Sequence, residues 1–117
     1  MTRLIRSLTM SLALLLSVLP SAQADTTFDL PGAQSAYADL DDIRMYYETY
    51  GKGEPLLLIS PAYIPYLIYQ LPELSNHFQV ITPELRGHWR TTDSPKPLSY
   101  RLMAEDVVKL LDHLKIQ

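Results

Sequence analysis

The chain contains side chains that could support nucleophilic catalysis, but not in their usual arrangement. Ser60 and His88 could act as nucleophile and base. Such catalysis also needs donors aimed at the developing oxyanion, and all three groups must be held together. The common nucleophile motif, G-x-S-x-G, is absent, because none of the four glycines brackets a serine at that spacing. We therefore predict that Ser60 is a structural loop residue, and a catalytic Ser60–His88 pair remains an alternative.

The composition argues against several other kinds of site. The sequence has no cysteine, which excludes disulfides, thiol nucleophiles and thiolate zinc sites. The formal net charge is −3 and there is no basic run, which argues against nucleic-acid binding. Asp39, Asp41 and Asp42 could suggest a cation site, but no calcium-loop spacing follows them and a turn explains them better. We therefore predict neither a metal nor a cofactor.

The first 24 residues have the features of a removable secretion signal. Two arginines precede the apolar stretch Leu8–Leu19, and the small residues of Ala22–Ala24 form a cleavage site before Asp25. The apolar stretch is shorter than the roughly 20 residues needed to span a bilayer. We predict an exported protein, periplasmic or secreted, with no stable membrane span after cleavage between Ala24 and Asp25. An uncleaved anchor or a buried core helix is the alternative.

The remaining 93 residues are enough for one small domain. Residues 25–35 contain few apolar side chains and look like a leader, so we place the folded domain at 36–117. Its first element is a predicted hairpin, with an extended segment at Ser35–Asp39 and a strand at Ile43–Tyr50. Because polar and apolar residues alternate along Ile43–Tyr50, we expect this strand to be half-buried.

Two compact apolar runs predict strands of a parallel sheet. Pro55–Ser60 is too short for a helix and is apolar up to its last position, as in a strand covered on both faces. Phe78–Thr82 is a second run of this kind. Between them Tyr66–Leu74 is predicted to be a short helix, and the polar segment Glu84–Pro97 is predicted to be a loop.

The clearest helical pattern runs from Tyr100 to Leu114, with Ser99 as the predicted N-cap. One apolar stripe follows this helix, formed by Met103, Val107, Leu110, Leu111 and Leu114. Most charged residues, Asp106 among them, are assigned to positions off the stripe. Strands alternating with helices predict an α/β fold with a mostly parallel sheet and right-handed crossovers.

From about Ala36 to Gln117 the sequence resembles the N-terminal portion of the α/β-hydrolases, of the esterase, epoxide hydrolase and C–C hydrolase type. Four stretches carry the resemblance in order: 42–53, 55–59, 78–88 and 100–114. It implies a β-hairpin followed by strand, helix, strand and helix of an eight-stranded sheet, in which the fifth strand pairs with the third. It also implies that the nucleophile elbow, an acid and a histidine lie beyond Gln117, so that the sequence is an incomplete hydrolase domain.

The resemblance implies an oxyanion site after the third strand. In the family, the loop at this position turns a backbone N–H toward the oxyanion. The matching residues here begin with Ser60 and Pro61, and proline has no N–H to donate. The candidate donors are therefore the backbone N–H groups of Ala62 and Tyr63, and the alternative is that this loop is only a connection.

The resemblance also implies an active-site loop after the fourth strand. Arg86, Gly87 and His88 match a family loop that lies near the active-site entrance. His88 either borders the site or is a hydrogen-bonded structural residue. Trp89 stands where the family usually has a second glycine, which predicts a local rearrangement or partial exposure of its side chain.

The resemblance implies that a full-length form hydrolyses an ester-type or related bond in a small-molecule substrate, and that the printed chain alone is inactive. The alternative is a non-catalytic binding or assembly module completed by another chain. Because the third strand would be an edge strand, Leu56–Ile59 should carry unpaired backbone groups, which favour aggregation. We therefore expect a chain that is poorly folded or that self-associates through this edge.

Overall fold

The computed structural model describes residues 32–60 and 64–117, apart from the side chains of two residues in a short helix. The predicted signal segment, Ala62 and Tyr63 lie outside the described residues. The elements in chain order are β1 (Gln34–Leu40), β2 (Ile43–Tyr50), β3 (Glu54–Leu57), a 3₁₀ helix (Ile64–Leu67), α1 (Leu71–Ser75), β4 (Phe78–Pro83) and α2 (Tyr100–His113). In this part of the chain no helix combines the length and apolar character needed to cross a membrane.

The predicted hairpin is confirmed by β1 and β2, which pair antiparallel along the whole of β1. Asp41 and Asp42 form the two-residue turn between them. Asp41 has a φ of 39°, in the left-handed region that aspartate enters more readily than most residues. Turn formation therefore accounts for Asp41 and Asp42 at this position.

The sheet combines the antiparallel hairpin with a parallel pair of strands. Its order is β1-β2-β4-β3, with β4 antiparallel to β2 and parallel to β3. The Leu58 N–H donates to the Ile81 carbonyl at 2.9 Å, which extends the alignment of β3 with β4 by one residue. This arrangement confirms the predicted α/β class, as a partial mixed sheet with β3 at one edge of the described strands.

The prediction that β2 is half-buried is wrong, because both faces of this strand are covered. Met45 packs in a cluster with Leu110 of α2 on one face. On the other face Tyr50 packs in a cluster with Leu71 of α1. Even Glu48 is only 2% exposed. Helices lie on both sides of the sheet, so the face that looks polar in the sequence is also interior.

The prediction that the Pro55–Ser60 strand is covered on both faces is also wrong. β3 ends at Leu57, and its two leucines are only partly buried. Beyond it Ile59 is 45% exposed. Within the described residues β3 has a neighbouring strand, β4, on one side only, and this limits how much of it the fold can cover.

The single helix predicted at Tyr66–Leu74 is instead two short elements, the 3₁₀ helix and α1. Pro72 lies in the first turn of α1, where the missing N–H breaks no helical hydrogen bond. Leu67 and Leu71 are buried against β2 and β4. These two short helices therefore cover the same face of the sheet.

The helix predicted at the C-terminal end is confirmed by α2. The Ser99 hydroxyl accepts a hydrogen bond from the Leu102 N–H at 3.1 Å, as expected of an N-cap. Val107 and Leu110 are buried beneath the helix. Asp106, which the sequence places off the apolar stripe, is nevertheless fully buried, and an arginine from the preceding loop binds its carboxylate.

Candidate functional site

The carboxyl ends of β3 and β4 lie side by side because the two strands are parallel, and we call this end of the sheet the carboxyl edge. Two segments leave the sheet there: the one that follows β3, described as far as Ser60, and the β4–α2 loop, residues 84–99. Ser60 and Glu84 are 2% and 1% exposed. Ligands of open α/β sheets bind outside the carboxyl ends of the strands, so this edge is the candidate site.

The first part of the β4–α2 loop is hydrogen-bonded to β2 at both of its ends. The Glu84 N–H donates to the Tyr46 carbonyl at 2.9 Å, and the Thr92 N–H donates to the Arg44 carbonyl at 3.2 Å. The Thr91 hydroxyl accepts from the Tyr46 N–H at 2.9 Å and donates to the Glu84 carbonyl at 2.7 Å. Residues 85–90, the loop tip, therefore project from a fixed base.

The loop tip carries the predicted Arg-Gly-His segment and Trp89. Gly87 has a φ of 71°, and a Cβ there would lie 3.2 Å from the Asp93 carboxylate, so conformation and space both favour glycine. Nδ1 of His88 lies 2.9 Å from the Arg86 carbonyl oxygen. Trp89 has a φ of 36° and is 51% exposed, which confirms the predicted partial exposure. The tip thus has a defined, turn-like conformation.

Arg86 is fully buried and joins three parts of the fold. Its Nε and Nη2 bind both carboxylate oxygens of Asp106 in α2, at 2.8 and 2.9 Å. Nη2 and Nη1 also bind Asp42 of the hairpin turn, at 3.1 and 3.2 Å. Nη1 further donates to the Ser94 hydroxyl at 2.7 Å. The side chain therefore links the hairpin, the β4–α2 loop and α2 in the interior of the protein.

These contacts favour the charged forms of Asp42 and Arg86. Hydrogen bonds from Arg86, and then from Ser94 and Lys96, hold the pKa of Asp42 far below its usual range. In return, hydrogen bonds to Asp106 and Asp42 raise the pKa of Arg86. The Lys96 ammonium lies 3.0 Å from Asp42 and adds a second positive charge to the same carboxylate. Asp42 and Arg86 are therefore both ionised at neutral pH.

Acidification should remove the contribution of Asp42 to folding stability only below about pH 4. The pKa of an aspartate in an unfolded chain is about 3.9, and in the folded protein the pKa of Asp42 is lower. Its contribution to stability is thus complete above the unfolded pKa and is lost as the pH falls toward the folded pKa. Trp89, the single tryptophan, lies in the same loop, and its fluorescence should report this change.

The measurement is the Trp89 emission profile between about pH 6 and about pH 2. Asp42→Asn should flatten the profile in the acidic part of this range. Asp39→Asn is the matched control, because the side chain of Asp39 is 92% exposed and makes only a distant ion pair with Arg44. Identical profiles for Asp42→Asn and the unsubstituted protein would contradict the prediction.

A second buried cluster was not predicted from the sequence. Arg90 places Nη1 3.2 Å from Glu48 of β2, and Nη2 and Nε 2.5 and 3.0 Å from Glu84. The hydroxyls of Tyr46 and Tyr50 donate to the Glu48 carboxylate. Burial, and then the hydrogen bond to Glu48, raise the pKa of both tyrosines, so both remain donors. A glutamate flanked by tyrosines on one strand face is the available sequence signal.

A shallow apolar depression of about 160 Å³ lies between the end of β3 and α2. It is lined by Ile59, Leu85, Tyr100, Met103, Ala104 and Val107. Because this lining contains no carboxylate, histidine or serine, it is a surface for apolar packing rather than for chemistry. Across residues 32–60 and 64–117, no group of three His, Asp or Glu side chains is placed to hold a metal ion.

Comparison with known proteins finds relatives of this chain. The chain is 39% identical over 84 residues to the soluble epoxide hydrolase of Corynebacterium sp. (strain C12), covering 66% of this chain and 28% of that protein. The solved epoxide hydrolase CorEH matches with a TM-score of 0.66 and 33% identity, over 70% of this chain and 30% of its own. Est816, described as an N-acyl homoserine lactone degrading enzyme, matches with a TM-score of 0.62 and 29% identity. This match covers 68% of the present chain and 32% of Est816. No protein-family model matches the chain.

The chain spans less than a third of the length of these relatives. The matches confirm the resemblance stated on the sequence and the incomplete α/β fold that it implied. The relatives are hydrolases. Ala62 and Tyr63 lie outside the described residues, so their assignment as oxyanion donors stays a prediction.

Proposed function

We propose a hydrolytic function from one premise: the chain carries the N-terminal part of the α/β-hydrolase fold. In a longer protein it would form the first part of a catalytic domain that opens an epoxide or cleaves an ester or related bond of a small-molecule substrate. The nucleophile, its acid and its histidine would come from residues that follow Gln117. We also propose, from the signal features of residues 1–24, that the protein acts after export.

One observation carries this proposal. β3 and β4 are parallel and end at the carboxyl edge, where Ser60 is buried and the loop tip projects from a base fixed to β2. Substrates of open α/β sheets bind at such an edge. The described residues would therefore supply part of the floor and part of the wall of the substrate pocket.

At this carboxyl edge, the loop after β3 would supply the oxyanion donor. Pro61 has no N–H, so the backbone N–H of Ala62, or that of Tyr63, would be aimed at the developing charge. Arg86, Gly87 and His88 would stand at the entrance on the β4–α2 loop. In this role Arg86 acts through the backbone that it holds, because its guanidinium is fully buried.

The printed chain should not hydrolyse substrates by itself, because it lacks the nucleophile motif. The purified chain would be assayed with a chromogenic short-chain ester and with an aromatic epoxide, beside a complete hydrolase as positive control. We expect rates equal to those in buffer. Turnover that is lost in both Ser60→Ala and His88→Gln would contradict the proposal and would support the Ser60–His88 alternative.

The edge of β3 favours a second candidate function, an assembly module that pairs with a second copy of the chain. Among the described strands β3 has only β4 beside it. Leu57 is only partly buried and Ile59, just beyond the strand, is exposed, so this segment is apolar and accessible, and such edges pair readily with other strands. Pro55 lacks an N–H and weakens pairing at the start of the strand, so pairing would centre on residues 57–59.

Self-association should therefore depend on Ile59. Ile59→Lys places a charge on the edge and should shift the mass measured by light scattering toward that of a monomer. Val108→Lys is the matched control, because Val108 is 57% exposed and belongs to α2 rather than to β3. A sharp monomer peak for the unsubstituted chain, with a cooperative thermal transition, would rule out this function.

A further inference from the structure

We propose that Arg90 is the positioning residue of the loop tip: it ties the tip to Glu48 of β2 and to Glu84, and so fixes where Gly87, His88 and Trp89 stand relative to the sheet. The inference rests on the proposed function only in placing the loop tip at a substrate entrance. The positioning itself follows from the contacts of Arg90 and can be measured without any turnover.

The guanidinium of Arg90 bridges two carboxylates that belong to different elements. Nε and Nη2 bind Glu84, whose other oxygen accepts the Arg90 backbone N–H at 3.0 Å. Nη1 binds Glu48 at 3.2 Å. A guanidinium presents its donors in a rigid planar fork, so both contacts hold only at one orientation of the side chain. Arg90 therefore fixes the last residue of the tip against the strand beneath it.

The same guanidinium also lies between two aromatic rings. Its central carbon is 3.6 Å from the ring centroid of Tyr46 and 4.2 Å from that of Trp89. Such cation–π contacts are attractive, and more so where water is excluded. Trp89 has a left-handed backbone conformation, which is unfavourable for a residue with a bulky side chain. Stacking on Arg90 is a contact that helps to hold Trp89 in this conformation.

Loss of Arg90 would act on the loop tip more than on the sheet. Glu48 and Glu84 are buried, and no other arginine or lysine among the described residues forms an ion pair with either of them. Without Arg90 the two carboxylates would draw water toward the tip. The base of the loop keeps its backbone hydrogen bonds to β2, and Arg86 keeps its separate pairs with Asp42 and Asp106. The tip should therefore loosen while the fold persists.

The test uses the whole chain with Arg90→Lys, which keeps the charge but loses the planar fork, and with Glu48→Gln, which removes one anchor. We expect acrylamide to quench Trp89 more strongly in both variants. We also expect hydrogen exchange of the amides at 88–90 to become faster by roughly tenfold, while exchange in the β1–β2 pair stays unchanged. In the double variant the two effects should not add, because both substitutions disrupt one contact.

Arg101→Lys is the matched control, since Arg101 is exposed on α2, and it should leave both readouts unchanged. Unaltered quenching and exchange in Arg90→Lys would overturn the inference. Equal loss of protection in the tip and in the β1–β2 pair would overturn it too, because Arg90 would then support the fold as a whole. Neither result depends on hydrolysis, so a failure here is distinguishable from a failure of the proposed function.

Discussion

Replacing Arg86 by methionine should strongly lower the stability of the fold. The change leaves Asp106 fully buried with no positive partner, and it also removes hydrogen bonds to Asp42 and Ser94. Breaking a buried ion pair from one side costs about 3–5 kcal/mol. The whole stability of a domain is about 5–15 kcal/mol. We therefore expect Arg86→Met to lose most of the cooperative unfolding transition.

This prediction is best measured in a chimera, in which residues 34–117 replace the matching segment of the Corynebacterium soluble epoxide hydrolase. Urea unfolding should show a much lower midpoint for Arg86→Met than for the parent chimera. The double variant Arg86→Met with Asp106→Leu should recover part of the loss, since replacing both members of a buried pair by apolar residues is tolerated far better than removing one. An unchanged midpoint for Arg86→Met would contradict the role assigned to this arginine.

The second large effect should come from Ala62→Pro in the same chimera. If the Ala62 backbone N–H binds the developing oxyanion, proline removes that donor. Loss of one oxyanion donor lowers kcat by about 10²–10³-fold. Ala62→Gly keeps the N–H and is the matched control, and we expect it to retain most of the activity. Unfolding midpoints of both variants would show whether the loop change also affects the fold.

Tyr63 supplies the other half of this test. If Tyr63 is the donor, Tyr63→Pro should produce the loss of kcat, and Tyr63→Phe, which keeps the backbone N–H, should not. A folded Ala62→Pro variant and a folded Tyr63→Pro variant that both retain full kcat would contradict the oxyanion assignment. The loop after β3 would then be only a connection.

Local patterns in the sequence predict much of this fold. The turn at Asp41 and Asp42, the alternation along β2 and the Ser99 cap of α2 each depend on residues close together in the chain, and the structure confirms the hairpin and the helix. The position of β3 at a sheet edge came from the family resemblance rather than from local patterns. The edge also explains why the strand is shorter and more exposed than its apolar run suggests.

The buried charges could not be predicted in the same way. Arg86 lies in a largely polar segment, and its partners Asp42 and Asp106 come from a turn and a helix distant in sequence. Alternation along β2 identifies two faces but cannot say that helices cover both of them, so it does not predict that Glu48 is buried. Pairing between distant charged residues depends on the tertiary arrangement, which residue spacing along the chain does not reveal.

Epoxide turnover by the unsubstituted chimera tests most directly whether this chain carries the opening part of a hydrolase domain. The chimera keeps the rest of the Corynebacterium enzyme and takes its hairpin, β3, β4 and α2 from this chain. We predict a folded protein that hydrolyses an aromatic epoxide well above the rate of the same chimera without its nucleophile. A chimera that folds cooperatively and yet shows no turnover above that background would contradict the proposal.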